Sequence, residues 1–90
     1  MALLTETEIA ERLRGVPGWE RRGSQLHRTW TFADFKAAMA FVSRVAALAD
    51  AADHHPDIDI RYSRVTLVLS THDAGGLTAR DFALAETIGA

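Results

Sequence analysis

Cysteine is absent from the sequence, which excludes disulfides, thiolate metal sites and a cysteine nucleophile. No apolar run approaches the roughly 20 residues that a membrane-spanning helix needs. Basic runs are lacking too. Nine arginines and one lysine are scattered, none in a run longer than Arg21-Arg22, and the formal charge is −2. Domains that hold nucleic acid by its phosphates carry a basic patch or stripe, so neither nucleic acid nor a membrane is expected as a partner. The start, Met-Ala-Leu-Leu-Thr-Glu, has neither the basic residues nor the small-residue cleavage site of a signal peptide, and a cytoplasmic location is expected. There is no internal repeat, low-complexity segment or linker. What is present, 48% apolar and 24% charged residues, fits one small folded domain over residues 1–90.

Local signals order the chain. Thr5-Glu6-Thr7-Glu8 has the form of a capping box, with Leu4 and Ile9 at the staple positions. It predicts a first helix over Glu6–Arg14 that stops at Gly15. Val16-Pro17-Gly18 is a turn, followed by an extended piece from Trp19 to Arg21 and a hairpin turn at Gly23-Ser24. From Gln25 to Phe32 the residues alternate: Leu26, Arg28, Trp30 and Phe32 share the apolar side, with Arg28 the misfit. His27 falls on the polar face and reads as a solvated strand residue. Asp34 caps a second helix, Phe35–Ala51, with a core stripe of Phe35, Ala38, Met39, Val42, Val45, Ala46 and Ala49. Ile58, Ile60 and Tyr62 then alternate with Asp57, Asp59 and Arg61, which predicts a strand with one wet face. A turn near Ser63-Arg64 leads to a partner strand, Val65–Thr71. Asp73-Ala74-Gly75-Gly76 reads as a flexible loop, and Thr78 caps a third helix with Asp81 at its third position.

Asp53-His54-His55-Pro56-Asp57, between the second helix and the third strand, has no evident structural purpose. Asp50 and Asp53 place negative charge at a helix C-terminus, where the macrodipole disfavours it by roughly 0.3–1 kcal/mol each. The hairpin that follows brings His72 back to this junction, so three imidazoles converge there. Imidazoles at a helix end could be favourable caps. They could form a zinc shell with an aspartate, although adjacent histidines in extended chain point apart. They could also form a metal-free acid–base site, with imidazoles as proton donor and acceptor and carboxylates orienting them.

At these residues the chain resembles the pterin-4a-carbinolamine dehydratase family. Asp53-His54-His55-Pro56, Ser70-Thr71-His72 and Gly76-Leu77-Thr78-Ala79-Arg80-Asp81 carry the resemblance. Gly18-Trp19 and Phe32-Ala33-Asp34-Phe35 extend it over nearly the whole chain. It implies an α+β fold, a four-stranded antiparallel sheet with three helices on one face, in the order α-β-β-α-β-β-α. It also implies dimers or tetramers joined through sheet edges and helices. The implied activity is dehydration of 4a-hydroxytetrahydropterin to quinonoid dihydropterin, which recycles the cofactor of aromatic amino acid hydroxylases without metal or cofactor. His54, His55 and His72 are the implied catalytic residues. Asp50, Asp53, Pro56, Ser70, Thr71, Arg80 and Asp81 are the implied substrate contacts, with a helix-cap role equally open to Asp81. Some relatives carry a large aromatic where this chain has Ile58, and Glu where it has Asp50. A non-catalytic dimerisation or assembly module of the same fold is the alternative, as is a ligand binder without turnover.

Overall fold

The computed structural model describes residues 2–89. Helix α1, Glu6–Leu13, is followed by the hairpin β1, Glu20–Arg22, and β2, Gln25–Thr31. Helix α2, Phe35–Ala52, leads to a second hairpin, β3, Asp57–Arg61, and β4, Arg64–Leu69. Helix α3, Ala79–Ile88, completes the order α-β-β-α-β-β-α expected above. The four strands are antiparallel and ordered β1-β2-β4-β3. The two hairpins therefore meet along β2 and β4, where Leu26 faces Leu69 and Arg28 faces Leu67.

Caps set the helix starts. Thr5 with Glu8, and Thr78 with Asp81, form reciprocal capping boxes, and Asp34 accepts from the Ala37 amide. The core lies between the inner face of the sheet, from Leu26, Val65, Leu67 and Leu69, and helix residues that include Val45, Phe82, Leu84 and Ile88. Burying side chains of this size contributes about 1.5–3 kcal/mol each.

Three details differ from the sequence pattern. On α2 the buried residues are Ala38, Phe41, Val45 and Ala49, whereas Phe35 and Ala46 are exposed. The Phe41 ring packs against Trp30 of β2 and Phe32 just after it, with ring centres 4.7 and 5.1 Å away, and this aromatic contact turns the buried stripe toward Phe41. Arg28 does lie among the apolar residues of β2, but its charged head escapes them. The guanidinium sits 4.6 Å from the Trp30 ring centre and donates to the carbonyls of Pro17 and Gly89. Every residue of β3 is exposed, including Ile58 and Ile60 on the side that faces the core. As an edge strand, β3 receives too little helix cover to hide its inner face.

Candidate active site

Helix α2 ends where its C-cap, Asp53, enters the left-handed region at φ 50°, ψ 44°. The His54 amide then donates back to the Ala49 carbonyl at 3.1 Å, and Pro56 prevents further helix. Left-handed backbone costs a non-glycine residue roughly 1–2 kcal/mol, with aspartate among the residues that tolerate it best. The sharp reversal sets His54 and His55 at the mouth of the second hairpin. In that hairpin Asp57 faces Val68, so the same register carried two residues further faces His55 to Ser70. The end of β4 thus lies beside the end of α2. His72 follows at the start of a short 3₁₀ turn, His72–Ala74.

These segments line a cleft of about 230 Å³: Asp53, His54, His55, Ser70, Thr71, His72, Asp73 and Arg80. The three histidines singled out in the sequence therefore do share one cavity. Their settings are unequal. His54 is buried, and its Nε2 lies 2.6 Å from Asp81 Oδ1. Asp81 is wholly buried, and its other oxygen accepts from Thr71 Oγ1 at 2.8 Å and the Thr78 amide at 2.9 Å. Three donors on one carboxylate fix both the carboxylate and the ring. A carboxylate can only accept, so His54 carries a proton on Nε2, and Nδ1 is the acceptor of the neutral ring. Among the described residues Trp19 Nε1 is the buried side-chain polar atom without a partner, so His54 Nδ1, which has none, opens to solvent.

His55 is exposed, with Nε2 2.9 Å from Asp50 Oδ1. His72 is also exposed and has no side-chain partner among the described residues. Arg80, the second residue of α3, donates to the Asp53 carbonyl and so ties α3 to the reversal. His27 lies on the opposite face of the sheet, half-buried, with Nε2 3.0 Å from Gln25 Oε1.

Asp50, Pro56 and Asp81, expected to contact substrate, do not line the cleft. Asp50 holds His55 from outside, Pro56 turns the chain into β3, and Asp81 lies beneath His54 while capping α3. Asp73 does line it and was not expected. It lies in what reads as a flexible loop, and no sequence signal shows that the loop folds back as a 3₁₀ turn. Among the described residues no cluster of three or more histidines and carboxylates is arranged to hold a metal ion.

A small α+β domain that turns paired histidines and a third histidine toward one polar cleft, with a buried aspartate beneath one of them, is the class of protein defined here. The family model described as "Pterin 4 alpha carbinolamine dehydratase" matches residues 2–90, and the chain belongs to that family. A Thermomicrobium roseum protein, provisionally named a pterin-4-alpha-carbinolamine dehydratase, is 58% identical over 88 residues, spanning 98% of this chain and 95% of its own. A crystal structure described as a transcriptional coactivator/pterin dehydratase from Brucella melitensis superposes with a TM-score of 0.92 at 35% identity, covering 97% of this chain and 95% of that one. A pterin dehydratase-like protein identified as a RuBisCO assembly factor in the alpha-carboxysome shares the fold, with a TM-score of 0.64 at 21% identity over 79% of this chain and 82% of its own.

Proposed function

We propose that the chain is a 4a-hydroxytetrahydrobiopterin dehydratase that works by histidine acid–base catalysis, with no metal or cofactor. The observation that carries this reading is one open cleft shared by three imidazoles, of which one is locked by a buried carboxylate. The carbinolamine loses its C4a hydroxyl as water. A proton must reach that oxygen, while the lone pair of the neighbouring ring nitrogen forms the C=N bond and that nitrogen gives up its own proton. One proton is supplied and one is removed, so the net proton count of the protein is unchanged, and exchange with water returns each imidazole to its starting state. His54, with Nδ1 held as an acceptor, takes the nitrogen's proton. The exposed imidazoles, His55 and His72, supply the donor. Asp53, Ser70, Thr71, Asp73 and Arg80 border the bound ring. Two positioned imidazoles suffice because the carbinolamine is already unstable in water. We propose further that the chain self-associates through the exposed edge of β3.

The test follows dehydration of the carbinolamine by its ultraviolet change, with and without a chelator. Turnover should be unaffected by chelator. His72→Ala should lower it by roughly 10²–10⁴-fold, the range for one acid–base group, whereas His27→Ala on the far face should leave it nearly unchanged. Equal losses at His72 and His27 would indicate damage to the fold and defeat the assignment. Activity lost to chelator and restored by zinc would defeat the metal-free reading.

A further inference from the structure

His72 rides on a loop that closes on itself. The Thr71 amide donates to the Gly76 carbonyl at 3.0 Å, and the Gly76 amide returns to the Thr71 carbonyl at 3.3 Å. One foot of this loop is anchored in the interior, because the Thr71 hydroxyl donates to buried Asp81. The other foot, Gly76, is buried beneath Leu3 and Ser24 and runs into the core residue Leu77. A second cavity of about 260 Å³ lies there, bordered by Leu3, Ile9, Arg21, Ser24, Gly76 and Leu77. The candidate active site borders the loop at Thr71, His72 and Asp73. With a cavity on each side, the loop has its position set by few contacts.

Those contacts come from the N-terminal segment and from the turn between β1 and β2. The Leu4 amide donates to the Leu77 carbonyl at 3.0 Å. Leu3 lies across Gly76, its Cδ2 3.0 Å from where a β-carbon on that residue would stand. Ser70 Oγ donates to the Ser24 carbonyl at 3.1 Å, which ties the end of β4 to the turn. The segment is itself held from behind. Thr5 caps α1 directly after it, and Glu6 accepts from two nitrogens of Arg21, one of them at 2.8 Å.

We propose that residues 2–4 form a strap that positions His72, with Leu3 and Leu4 acting through Gly76 and Leu77. The strap rests on the dehydratase reading for its purpose and on geometry alone for its existence. Leu3 is 53% exposed. What it covers is Gly76, the foot of the loop that carries an imidazole. A catalytic group displaced by about 1 Å can cost up to 10²-fold in rate, so a strap that narrows the loop's excursions acts on turnover more than on folding.

The experiment compares Leu3→Ala and Leu3→Met with the unmodified chain by steady-state kinetics, thermal melting and amide hydrogen exchange. Leu3→Ala should lower kcat by about 3–10-fold with KM within about twofold. Its melting temperature should move little, while the Thr71 and Gly76 amides exchange about tenfold faster. Leu3→Met, which still reaches Gly76, should restore both the rate and the protection. Unaltered exchange at Thr71 and Gly76 overturns the strap whatever the activity. Faster exchange with an unchanged kcat overturns its role in placing His72. Absence of dehydration in the unmodified chain overturns the reading of the cleft and not the strap, which the exchange measurement reads by itself.

Discussion

Asp81 accepts hydrogen bonds from His54, Thr71 and the Thr78 amide, all in the interior. Its place as the third residue of a capping box is legible from Thr78-Ala79-Arg80-Asp81 alone. Its grip on His54 is not, because that contact spans 27 positions and depends on how α3 packs against the end of α2. The same holds for Asp50, whose partner His55 lies five residues on, across a left-handed reversal that no helical spacing anticipates. Residue types and their convergence could therefore be read from the sequence. The division between groups that face the cleft and groups that hold them could not. Replacing Asp81 by Ala takes the acceptor from the buried His54 Nε2 and from the Thr78 amide, while the Thr71 hydroxyl keeps Thr78 Oγ1, and each buried donor left unsatisfied costs about 1–3 kcal/mol. Asp81→Ala should melt well below the unmodified protein and lose activity as well. Asp81→Asn keeps the size and one acceptor, so it should lose less stability while freeing the His54 ring. A melt of Asp81→Ala that matches the unmodified chain would show that the aspartate carries no such load.

Helices and strands were legible where a local signal and burial agree. Both capping boxes and the Asp34 cap sit where the sequence puts them, and the ends of α1 and α2 fall within a residue of expectation. The stripe of α2 was misread because Phe41, in one row with Ala38, Val45 and Ala49, packs its ring on Trp30 and Phe32 and leaves Phe35 and Ala46 outside. In α1 the acidic first turn has a consequence for pH. The Arg21 guanidinium holds Glu6 below its ordinary value of 4.5, and the Thr5 backbone and hydroxyl do the same for Glu8. A carboxyl lowered in the folded state stabilises it above the unfolded value, and that contribution is lost as pH falls through the folded one. Amide protection in α1 should therefore weaken as the pH falls below the ordinary carboxyl value of 4.5, ahead of the β2–β4 core. In a Glu6→Gln, Glu8→Gln variant that local pH dependence should vanish. Its persistence would assign the effect to other carboxyls.

At the scale of the whole molecule the two sheet edges differ. The edge formed by β1 is three residues long and entirely charged, Glu20-Arg21-Arg22, which blunts it against pairing. The β3 edge has five residues, with Ile58 37% and Ile60 41% exposed. Both isoleucines lie on the core side, opposite Leu67 and Val65, and the apolar row continues through Tyr62 to Phe35, whose ring stacks 6.3 Å away. An open edge beside an uncovered apolar row is the arrangement that a second strand would complete. The charges allow the strand to pair with its own copy. Antiparallel pairing centred on Asp59 sets Asp57 against the second copy's Arg61 and Ile58 against its Ile60. Asp59 then faces Asp59, a repulsion moderated by Arg61, whose Nε lies 3.4 Å away. Light scattering at micromolar concentration should therefore give a dimer or a larger assembly. Ile60→Lys puts a charge into the row that pairing must bury, so it should shift the protein toward monomer while leaving the buried core of β2 and β4 intact. A monomeric unmodified chain would refute self-association, and an Ile60→Lys variant as large as the unmodified protein would place the contact on another surface.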